Sequence, residues 1–263
     1  MRATRKPHFN LLLFGAPGVG KGTFAKFIQR DFLFKQFSTG DYFRSLIKKS
    51  QAGAAAQDDF TRDLLDTLNS GKLVDDSVVV KIAEKLFLET DSFMDGHFSE
   101  ANGIILDGVP RTVSQAESIA RFAQINLLVN FHSRDDVLVQ KMMGRRLCPS
   151  CNKNFNVAEV KTECGYEMAP LLPAGDPEFC DDPSHQPTKL IQRDDDREEV
   201  ILERLELYRS ETLPILEFYQ EHEHTQVINF EAKRGVDDYP ILKSLLEGQV
   251  FSEQQAEQPV ASL

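Results

Sequence analysis

Residues 9–23 read FNLLLFGAPGVGKGT, and most of the interpretation starts from them. Asn10 to Phe14 is a short apolar run, which is typical of a strand buried on both faces of a parallel sheet. Glycines and a lysine follow, and apolar residues then recur at helical spacing from Phe24 onward. A strand, a glycine-rich loop and a helix start in this order predict a loop that binds phosphate groups.

The loop fits the pattern G-x-x-x-x-G-K-[ST] with one shift, because Gly22 follows Lys21 and the hydroxyl of Thr23 comes one residue later. Glycines let backbone N–H groups approach phosphate oxygens, and the helix start adds a partial positive charge. Lys21 supplies a full positive charge for the β- and γ-phosphates. The predicted ATP-binding residues of the loop are Gly15, Ala16, Pro17, Gly18, Val19, Gly20, Lys21, Gly22 and Thr23.

The composition of the 263 residues is that of an ordinary globular protein, with 41% hydrophobic and 27% charged residues. A formal net charge of −11 argues against a general nucleic-acid binder, which needs a basic face. No apolar run approaches the roughly 20 residues that span a bilayer. We therefore expect neither nucleic acid nor membrane as a partner. We expect a cytoplasmic protein, with a mitochondrial or a peroxisome-like location as the alternative. The peroxisome-like location is considered because Ala261-Ser262-Leu263 partly matches the S-K-L signal.

Strand-like apolar runs alternate with helical patterns along the chain, which predicts an α/β fold with a doubly wound parallel sheet. Further strands are predicted at 103–108, 126–131 and 227–230. Ser38 to Asp41 has the pattern of a helix N-cap, and Asp75 with Asp76 precedes another helix. Later helices are predicted at about 114–122, capped by Ser114, and at 135–147, 194–219 and 239–246, before a polar, flexible tail at 252–263.

Residues 148–189 interrupt this alternation. They contain all four cysteines and six of the twelve prolines, and they show no long helical period. We interpret this segment as a small lobe inserted between two helices.

Six motifs in order resemble those of the adenylate kinases, a family of nucleoside-monophosphate kinases. They are GAPGVGKGT at 15–23, STGDYFR at 38–44, SGKLVDD at 70–76, LDGVPRT at 106–112, GRR at 144–146 and QRDDDREEVILERL at 192–205. The resemblance covers about residues 11–246. It implies a single P-loop NTPase-type kinase with a core at 1–37, 75–145 and 193–250, a helical monophosphate-binding lobe at 38–74 and a lid at 146–192.

The activity that the resemblance implies is Mg²⁺-dependent phosphoryl transfer from ATP to AMP by a monomer. This reaction brings many negative charges together, so positioning and positive side chains carry the catalysis. By resemblance the catalytic residues are Lys21, Arg111, Arg145, Arg193 and Arg204, and Lys141 and Arg145 join the ATP site. The AMP site would comprise Thr39, Gly40, Arg44, Lys72, Val74, Gly108, Arg111, Gln115, Arg193 and Arg204.

Two acidic positions and one amide receive more specific roles from the resemblance. Gln115 would read the adenine edge, since an amide both donates and accepts hydrogen bonds. Asp107 would order the water shell of Mg²⁺ at the end of its strand. Asp195 would organise the arginines, whereas Asp194 and Asp196 are interpreted as N-cap and helix-dipole charges.

Lys141 stands where many adenylate kinases have an arginine stacked on the donor base. Lysine stacks less well than a planar guanidinium, so a GTP:AMP phosphotransferase is the alternative activity. A nucleotide-dependent switch without enzymatic activity is a more distant alternative, because it has less use for a second nucleotide site.

Cys148, Cys151 and Cys180 resemble the zinc-binding lids of some adenylate kinases. The usual fourth ligand is missing after Cys180, and His185, Asp182 or Cys164 are its possible replacements, because zinc accepts sulfur, nitrogen and oxygen ligands. Structural zinc is therefore one expectation for the lid. The other is a metal-free lid with an apolar core of Met168, Leu171 and Leu172.

Overall fold

The structure, a computed structural model, describes residues 9–51, 64, 74–88, 102–193 and 195–256, without the side chains of 44, 47–51, 86, 88 and 251–256. The strands are β1 (Phe9–Gly15), β2 (Phe34–Ser38), β3 (Gly103–Asp107), β4 (Leu127–His132), β5 (Arg145–Leu147), β6 (Asn154–Asn156), β7 (Val160–Lys161), β8 (Glu167–Met168), β9 (Phe179–Cys180), β10 (Thr188–Lys189) and β11 (Gln226–Glu231). The α-helices are α1 (Lys21–Phe32), α2 (Thr39–Gln51), α3 (Asp76–Leu88), α4 (Val113–Ala120), α5 (Asp135–Met143), α6 (Glu198–Leu207), α7 (Pro214–Gln220) and α8 (Tyr239–Ala256).

Five strands form a parallel sheet in the order β11-β4-β1-β3-β2, which confirms the predicted α/β fold. Both β1 and β2 run parallel to β3, with Leu11 paired with Ile105 and Phe37 with Leu106. Every residue of β1 is buried, as expected for a strand covered on both faces. None of the described helices is both long enough and apolar enough to cross a membrane.

The chain divides into two compact units. One unit comprises Met1–Phe14, Gln29–Asn130 and Arg209–Ile228, and the other comprises Gly15–Ile28, Phe131–Tyr208 and Asn229–Leu263. The first unit therefore carries the predicted AMP residues from 39 to 115. The second carries the glycine-rich loop, Lys141 and the three arginines at 145, 193 and 204.

The inserted segment contains three small antiparallel pairs, β5 with β6, β7 with β8, and β9 with β10. Its two ends are joined to each other, because Leu147 and Ile191 exchange backbone hydrogen bonds of 2.8 and 2.9 Å. Cys148, Phe155, Cys180 and Leu190 form one buried cluster in it. A second cluster joins Val160, Tyr166 and Met168 to Val137 of α5.

Several predicted boundaries were wrong. The strand β2 was missed because it is short and only partly buried. The helix predicted at 135–147 ends at Met143, because residues 145–147 form the strand β5, paired with β6. The first helix after β3 is capped by Thr112, whose hydroxyl accepts a hydrogen bond from the Gln115 N–H, and not by Ser114.

The C-terminal helices also differ from the prediction. The long helix expected at 194–219 is interrupted by a π-helical turn (Tyr208–Thr212), and α7 starts afresh at Pro214. Proline favours a helix start because its missing N–H has no partner there in any case. The last helix continues to Ala256, past the predicted start of the flexible tail at 252. The rest of the predicted tail, residues 257–263, lies outside the described residues.

Candidate functional site

The glycine-rich loop connects β1 to α1 and has room for glycine only at two positions. Gly15 has a φ of +139° and Gly18 a φ of +83°, and other residues rarely adopt such values. A Cβ on Gly15 would lie 2.3 Å from the carbonyl oxygen of Phe131, and a Cβ on Gly18 would lie 2.4 Å from Cγ of Met142. Both conformation and space therefore require these glycines.

Lys21 begins α1 and bends back over this loop. Its Nζ donates hydrogen bonds to the carbonyl oxygens of Gly15, at 2.6 Å, and Ala16, at 3.1 Å. The Gly20 carbonyl accepts from the Thr23 N–H at 2.9 Å, which closes the first helical turn. An ammonium group inside a loop at a helix N-terminus provides both a full and a partial positive charge for a phosphate group.

Lys141, on α5, also contacts the loop. Its Nζ donates to the carbonyl oxygen of Val19 at 3.2 Å, and its own carbonyl accepts from the Asn156 side chain at 2.8 Å. Burial lowers the pKa of Lys141 to about 8. Lys141 stands where the resemblance places a stacked arginine in many adenylate kinases, and here its amine lies against the backbone of the phosphate-binding loop.

Arg145 and Asp196 form a bidentate ion pair. The Nε of Arg145 donates to Oδ2 of Asp196 at 2.8 Å, and Nη2 donates to Oδ1. The Asp196 side chain is completely buried, and 17% of the Arg145 side chain is exposed. Because both N–H groups of one edge are bonded to the carboxylate, the plane of the guanidinium is fixed.

The other two predicted lid-side arginines also have partners. Nη1 of Arg204, on α6, donates to the Asp195 carboxylate at 2.8 Å and to the Asp195 carbonyl at 3.1 Å. Nη2 of Arg193 donates to the side chain of Asn154 at 3.2 Å. The contact between Asp195 and Arg204 agrees with the role that the resemblance implied for Asp195.

The interpretation of Asp196 as an N-cap charge was wrong. The N-cap of α6 is Arg197, which makes no side-chain cap bond, and Asp196 points into the protein and binds Arg145. Three consecutive carboxylates in a sequence do not reveal which one faces inward, so the sequence carried no signal for this choice. Asp194 lies outside the described residues.

A second polar arrangement surrounds Gly108, just after β3. The Gly108 carbonyl accepts from the Thr39 hydroxyl at 3.0 Å and from Nε of Arg111 at 2.9 Å. Gly108 has a φ of +82°, and a Cβ on it would lie 2.8 Å from the Thr39 hydroxyl oxygen. Arg111 itself is exposed, so the structure combines a shaped backbone with a guanidinium that a phosphate can reach.

Gln115 is buried beside this arrangement, and both halves of its amide have protein partners. Its Oε1 accepts from the Arg111 backbone N–H at 2.7 Å, and its Nε2 donates to Asp76 at 2.6 Å. Sequence reasoning did not identify Asp76 as a partner of Gln115. Its only signal was the position at the start of a predicted helix, which was interpreted as capping.

Asp107 ends β3, and one of its carboxylate oxygens accepts from the Gln36 side chain at 3.0 Å. Of the remaining predicted AMP residues, Gly40 lies in the first turn of α2, and Val74 lies two residues before α3 and is half-buried. Lys72 and the side chain of Arg44 lie outside the part of the chain that the structure describes.

Comparison with known proteins identifies the family. The family model for adenylate kinase matches residues 13–224 of this chain. The chain belongs to the adenylate kinase family. It is 34% identical over 236 residues to a protein named GTP:AMP phosphotransferase from Plasmodium falciparum (isolate 3D7), covering 90% of this chain and 95% of that one. It is 35% identical over 214 residues to the adenylate kinase of Thermotoga neapolitana, covering 80% of this chain and 84% of that one. Similarity also extends to a probable chloroplastic adenylate kinase 1 of rice, 35% identical over 251 residues, covering 93% of this chain and 78% of that one.

As a member of the adenylate kinase family, this chain is a nucleoside-monophosphate kinase, and its substrates are nucleotides. The family uses Mg²⁺ together with the nucleotide. In this adenylate kinase the glycine-rich loop and Lys141 belong to one unit, and Thr39, Gly108 and Arg111 belong to the other.

The inserted segment of this adenylate kinase brings four potential metal ligands together. Ligand atoms of Cys148, Cys151, Cys180 and His185 all lie within 4.8 Å of one another. Sγ of Cys151 lies 3.7 Å from Sγ of Cys180, and Sγ of Cys148 lies 3.5 Å from Nε2 of His185. Among the three replacements considered for the fourth ligand, the structure places His185 in the cluster.

The second ring nitrogen of His185 also supports this arrangement. Nδ1 lies 2.7 Å from the Gln186 carbonyl oxygen. Since a carbonyl can only accept, Nδ1 carries the proton and the lone pair of Nε2 faces Cys148. Desolvation is the main cause that raises the pKa of Cys180 to about 11, so without a cation its thiol stays protonated at neutral pH.

Proposed function

We propose that this chain catalyses the reversible Mg²⁺-dependent transfer of a phosphoryl group from ATP to AMP, which yields two ADP and maintains the balance of adenine nucleotides. The observation that carries this proposal is the second polar arrangement of Thr39, Gly108 and Arg111. A phosphate-binding loop alone would suit any nucleotide-binding protein, including a switch. A second arrangement that presents an exposed guanidinium beside a shaped backbone supports an acceptor nucleotide.

In this proposal the residues of the chain act mainly by positioning and by charge. The loop from Gly15 to Thr23 binds the phosphates of the donor, and Lys21 places its charge on the β- and γ-phosphates. Arg145, held by Asp196, stabilises the charge that develops on the transferred group, together with Arg193 and Arg204. Arg111 and Arg44 bind the acceptor phosphate, while Gln115, Thr39, Gly40, Lys72, Val74 and Gly108 form the AMP pocket.

Magnesium fits the proposed role of Asp107. Mg²⁺ prefers oxygen ligands and keeps several waters in nucleotide sites. A carboxylate at the end of a parallel strand, oriented by the Gln36 amide, can accept hydrogen bonds from those waters. When bound, Mg²⁺ neutralises negative charge on the β- and γ-phosphates.

The proposal extends to the organisation of the chain. We propose a core at 1–37, 75–145 and 193–250, a monophosphate-binding lobe at 38–74, and a lid at 146–192 that excludes water when nucleotides bind. We further propose a monomer in the cytoplasm. An organelle is the alternative location, because the relatives include proteins named chloroplastic.

One assay tests which nucleotide, ATP or GTP, is the phosphoryl donor. AMP is the acceptor, and initial rates with ATP and with GTP are compared at equal Mg²⁺ concentration. We expect a higher kcat/KM with ATP. A higher value with GTP would make the protein a GTP:AMP phosphotransferase, and AMP-dependent turnover of neither nucleotide would support a switch.

One observation favours keeping the GTP alternative in this assay. The amine of Lys141 contacts the Val19 carbonyl, so an adenine base would not gain the stacked guanidinium that an arginine provides. A relative that covers most of the chain carries the name GTP:AMP phosphotransferase. The assay therefore compares the two donors in the same protein preparation.

We also propose that Cys148, Cys151, Cys180 and His185 bind one structural Zn²⁺. Tetrahedral zinc with Zn–S bonds of about 2.3 Å separates two sulfur ligands by about 3.8 Å. The distance of 3.7 Å between Cys151 and Cys180 agrees with this geometry. The cation would also deprotonate the buried Cys180 thiol, which desolvation otherwise keeps neutral.

The zinc proposal predicts a stability difference between two cysteine variants. Cys148→Ser removes a buried ligand, whereas Cys164→Ser changes an exposed cysteine outside the cluster. Zinc at 100 times its dissociation constant stabilises a protein by about 2.7 kcal/mol, so Cys148→Ser should lower Tm by roughly 5–10 °C. Elemental analysis should find one zinc per chain in the wild type and in Cys164→Ser. No zinc in the wild type, together with equal Tm values for the two variants, would contradict the proposal.

A further inference from the structure

Asp76 contacts two residues of the segment after β3, although it lies in the first turn of α3. Its Oδ1 accepts from Nε2 of Gln115 at 2.6 Å, and its Oδ2 accepts from the Thr112 hydroxyl at 2.7 Å. An ionised carboxylate can only accept hydrogen bonds. Both Gln115 and Thr112 must therefore direct a donor toward it.

These contacts fix the orientation of the Gln115 amide. Its Nε2 faces Asp76, and its Oε1 accepts from the Arg111 N–H at 2.7 Å. Rotation of the amide by 180° would place Oε1 against a carboxylate and an NH₂ group against a backbone N–H. Because Gln115 is only 4% exposed, water would not compensate for these unfavourable contacts.

Asp76 also supports the helix that carries Gln115. The Thr112 hydroxyl donates to Asp76 and accepts from the Gln115 backbone N–H at 3.1 Å, which makes Thr112 the N-cap of α4. One carboxylate thus orients both the cap of the helix and the amide in its first turn. Asp76 therefore holds the Gln115 side chain directly and the Gln115 backbone N–H through the Thr112 hydroxyl.

We infer that Asp76 is a positioning residue that sets the specificity for the acceptor base, an inference that rests on the proposed kinase function. One N–H of Nε2 and one lone pair of Oε1 remain for a ligand. Asp76 fixes which side of the amide presents the donor to the base and which side presents the acceptor. Adenine offers an acceptor at N1 beside a donor at N6. Hypoxanthine reverses this order, with a donor at N1 and an acceptor at O6. A fixed amide suits one of these bases, and an amide that can rotate suits both.

Asp76→Asn tests the inference, with AMP and IMP as acceptors. Asparagine has nearly the same shape but can also donate, so position 76 no longer opposes rotation of the Gln115 amide, and of the two contacts described only that with the Arg111 N–H still does. We expect KM for AMP to rise about tenfold, as for the loss of one charge-assisted hydrogen bond. The ratio of kcat/KM for AMP to that for IMP should fall by about the same factor, while kcat with AMP and KM for the donor stay within about twofold.

Asp75→Asn is the matched control. It removes the same charge one residue earlier, where the exposed Asp75 carboxylate accepts from the Ser77 N–H at 2.8 Å. We expect its AMP to IMP ratio to equal that of the wild type. Equal ratios in Asp76→Asn and the wild type, or equal shifts in both variants, would overturn the inference.

A double-mutant cycle separates positioning from a general effect on the fold. In a Gln115→Ala background the amide is absent, so Asp76→Asn should cause no further change in the AMP to IMP ratio. Additive changes would contradict the inference.

Should Asp76→Asn fail to fold, the ¹⁵N–¹H spectrum of the wild type gives a second test. The Gln115 side-chain signals are assigned by their absence in Gln115→Ala. A shifted, slowly exchanging Gln115 amide proton is expected, and two averaged, fast-exchanging protons would overturn the inference.

The assay of the wild type with AMP distinguishes failure of the proposed function from failure of this inference. If the wild type does not use AMP as an acceptor, the proposed function fails. If it uses AMP but Asp76→Asn keeps the wild-type AMP to IMP ratio, only the inference about Asp76 fails.

Discussion

Lys21→Ala should lower kcat by about 10³-fold, which corresponds to about 4 kcal/mol of transition-state stabilisation. Lys21 places its ammonium group inside the phosphate-binding loop, 2.6 Å from the Gly15 carbonyl oxygen. Alanine cannot replace this charge, although it favours the helix α1 at this position. The measurement is the initial rate with saturating ATP and AMP, together with Tm as a check of folding.

Lys26→Ala is the control for this prediction. Lys26 lies on the same helix as Lys21 and is exposed, so its removal changes the net charge of the protein equally without changing the loop. We expect Lys26→Ala to keep kcat within about twofold, as surface substitutions usually have small effects. A kcat for Lys21→Ala within tenfold of the wild-type value would show that the loop does not bind the donor phosphates as proposed.

Asp196→Ala is expected to affect both stability and catalysis. Removing one partner of a buried ion pair costs about 3–5 kcal/mol, because the other charge stays behind. For a chain of this size such a loss lowers Tm by roughly 6–20 °C. Without Asp196 the Arg145 guanidinium also loses its fixed orientation, so kcat should fall by about 10²-fold. Thermal unfolding and initial rates measure the two effects.

A paired substitution separates these two effects. In Arg145→Met/Asp196→Leu neither charge is left unpaired, so most of the lost stability should return. Catalysis should not return, because Arg145 itself is absent. Glu199→Gln, which removes an exposed carboxylate in the first turn of α6, is the control and should change neither quantity appreciably. Recovery of kcat in the paired variant would contradict the role proposed for Arg145.

The sequence predicted the parts of the fold that depend on local patterns. The apolar run before Gly15 predicted a central buried strand, and the glycine pattern predicted the loop whose shape requires Gly15 and Gly18. Motif order predicted the family. These features are recognisable because strand burial and the left-handed backbone conformation each restrict which residues are allowed.

The contacts between distant residues were not predictable from the same patterns. Asp196 and Asp76 both looked like acids at helix starts, yet each binds a partner far away in the chain, Arg145 in one case and Gln115 in the other. Lys141 likewise contacts Val19 across more than a hundred residues. Such pairings depend on how helices and strands pack against one another, and the periodicity of a single sequence does not predict them.

Metal-ligand spacing is intermediate between these two cases. Cys148, Cys151 and Cys180 were recognisable from their spacing, but the fourth ligand was not. His185 follows Cys180 at a spacing outside the usual pair, and only the turn between β9 and β10 brings its ring to Cys148. The geometry of the turn therefore completed a set that the sequence left open.

The hydrogen bonds between Leu147 and Ile191 have a consequence for engineering the inserted segment of this kinase. They place the entry and the exit of the inserted segment side by side, so the chain leaves the rest of its unit and returns to it at one narrow crossing. A graft that exchanges residues 148–190 for a shorter or longer insert would have to match that crossing and also replace the contact of Asn154 with Arg193 and the packing of the Val160, Tyr166 and Met168 cluster on Val137. The length and the metal content of the insert can thus vary only where the partner of Arg193 and the packing on α5 are kept.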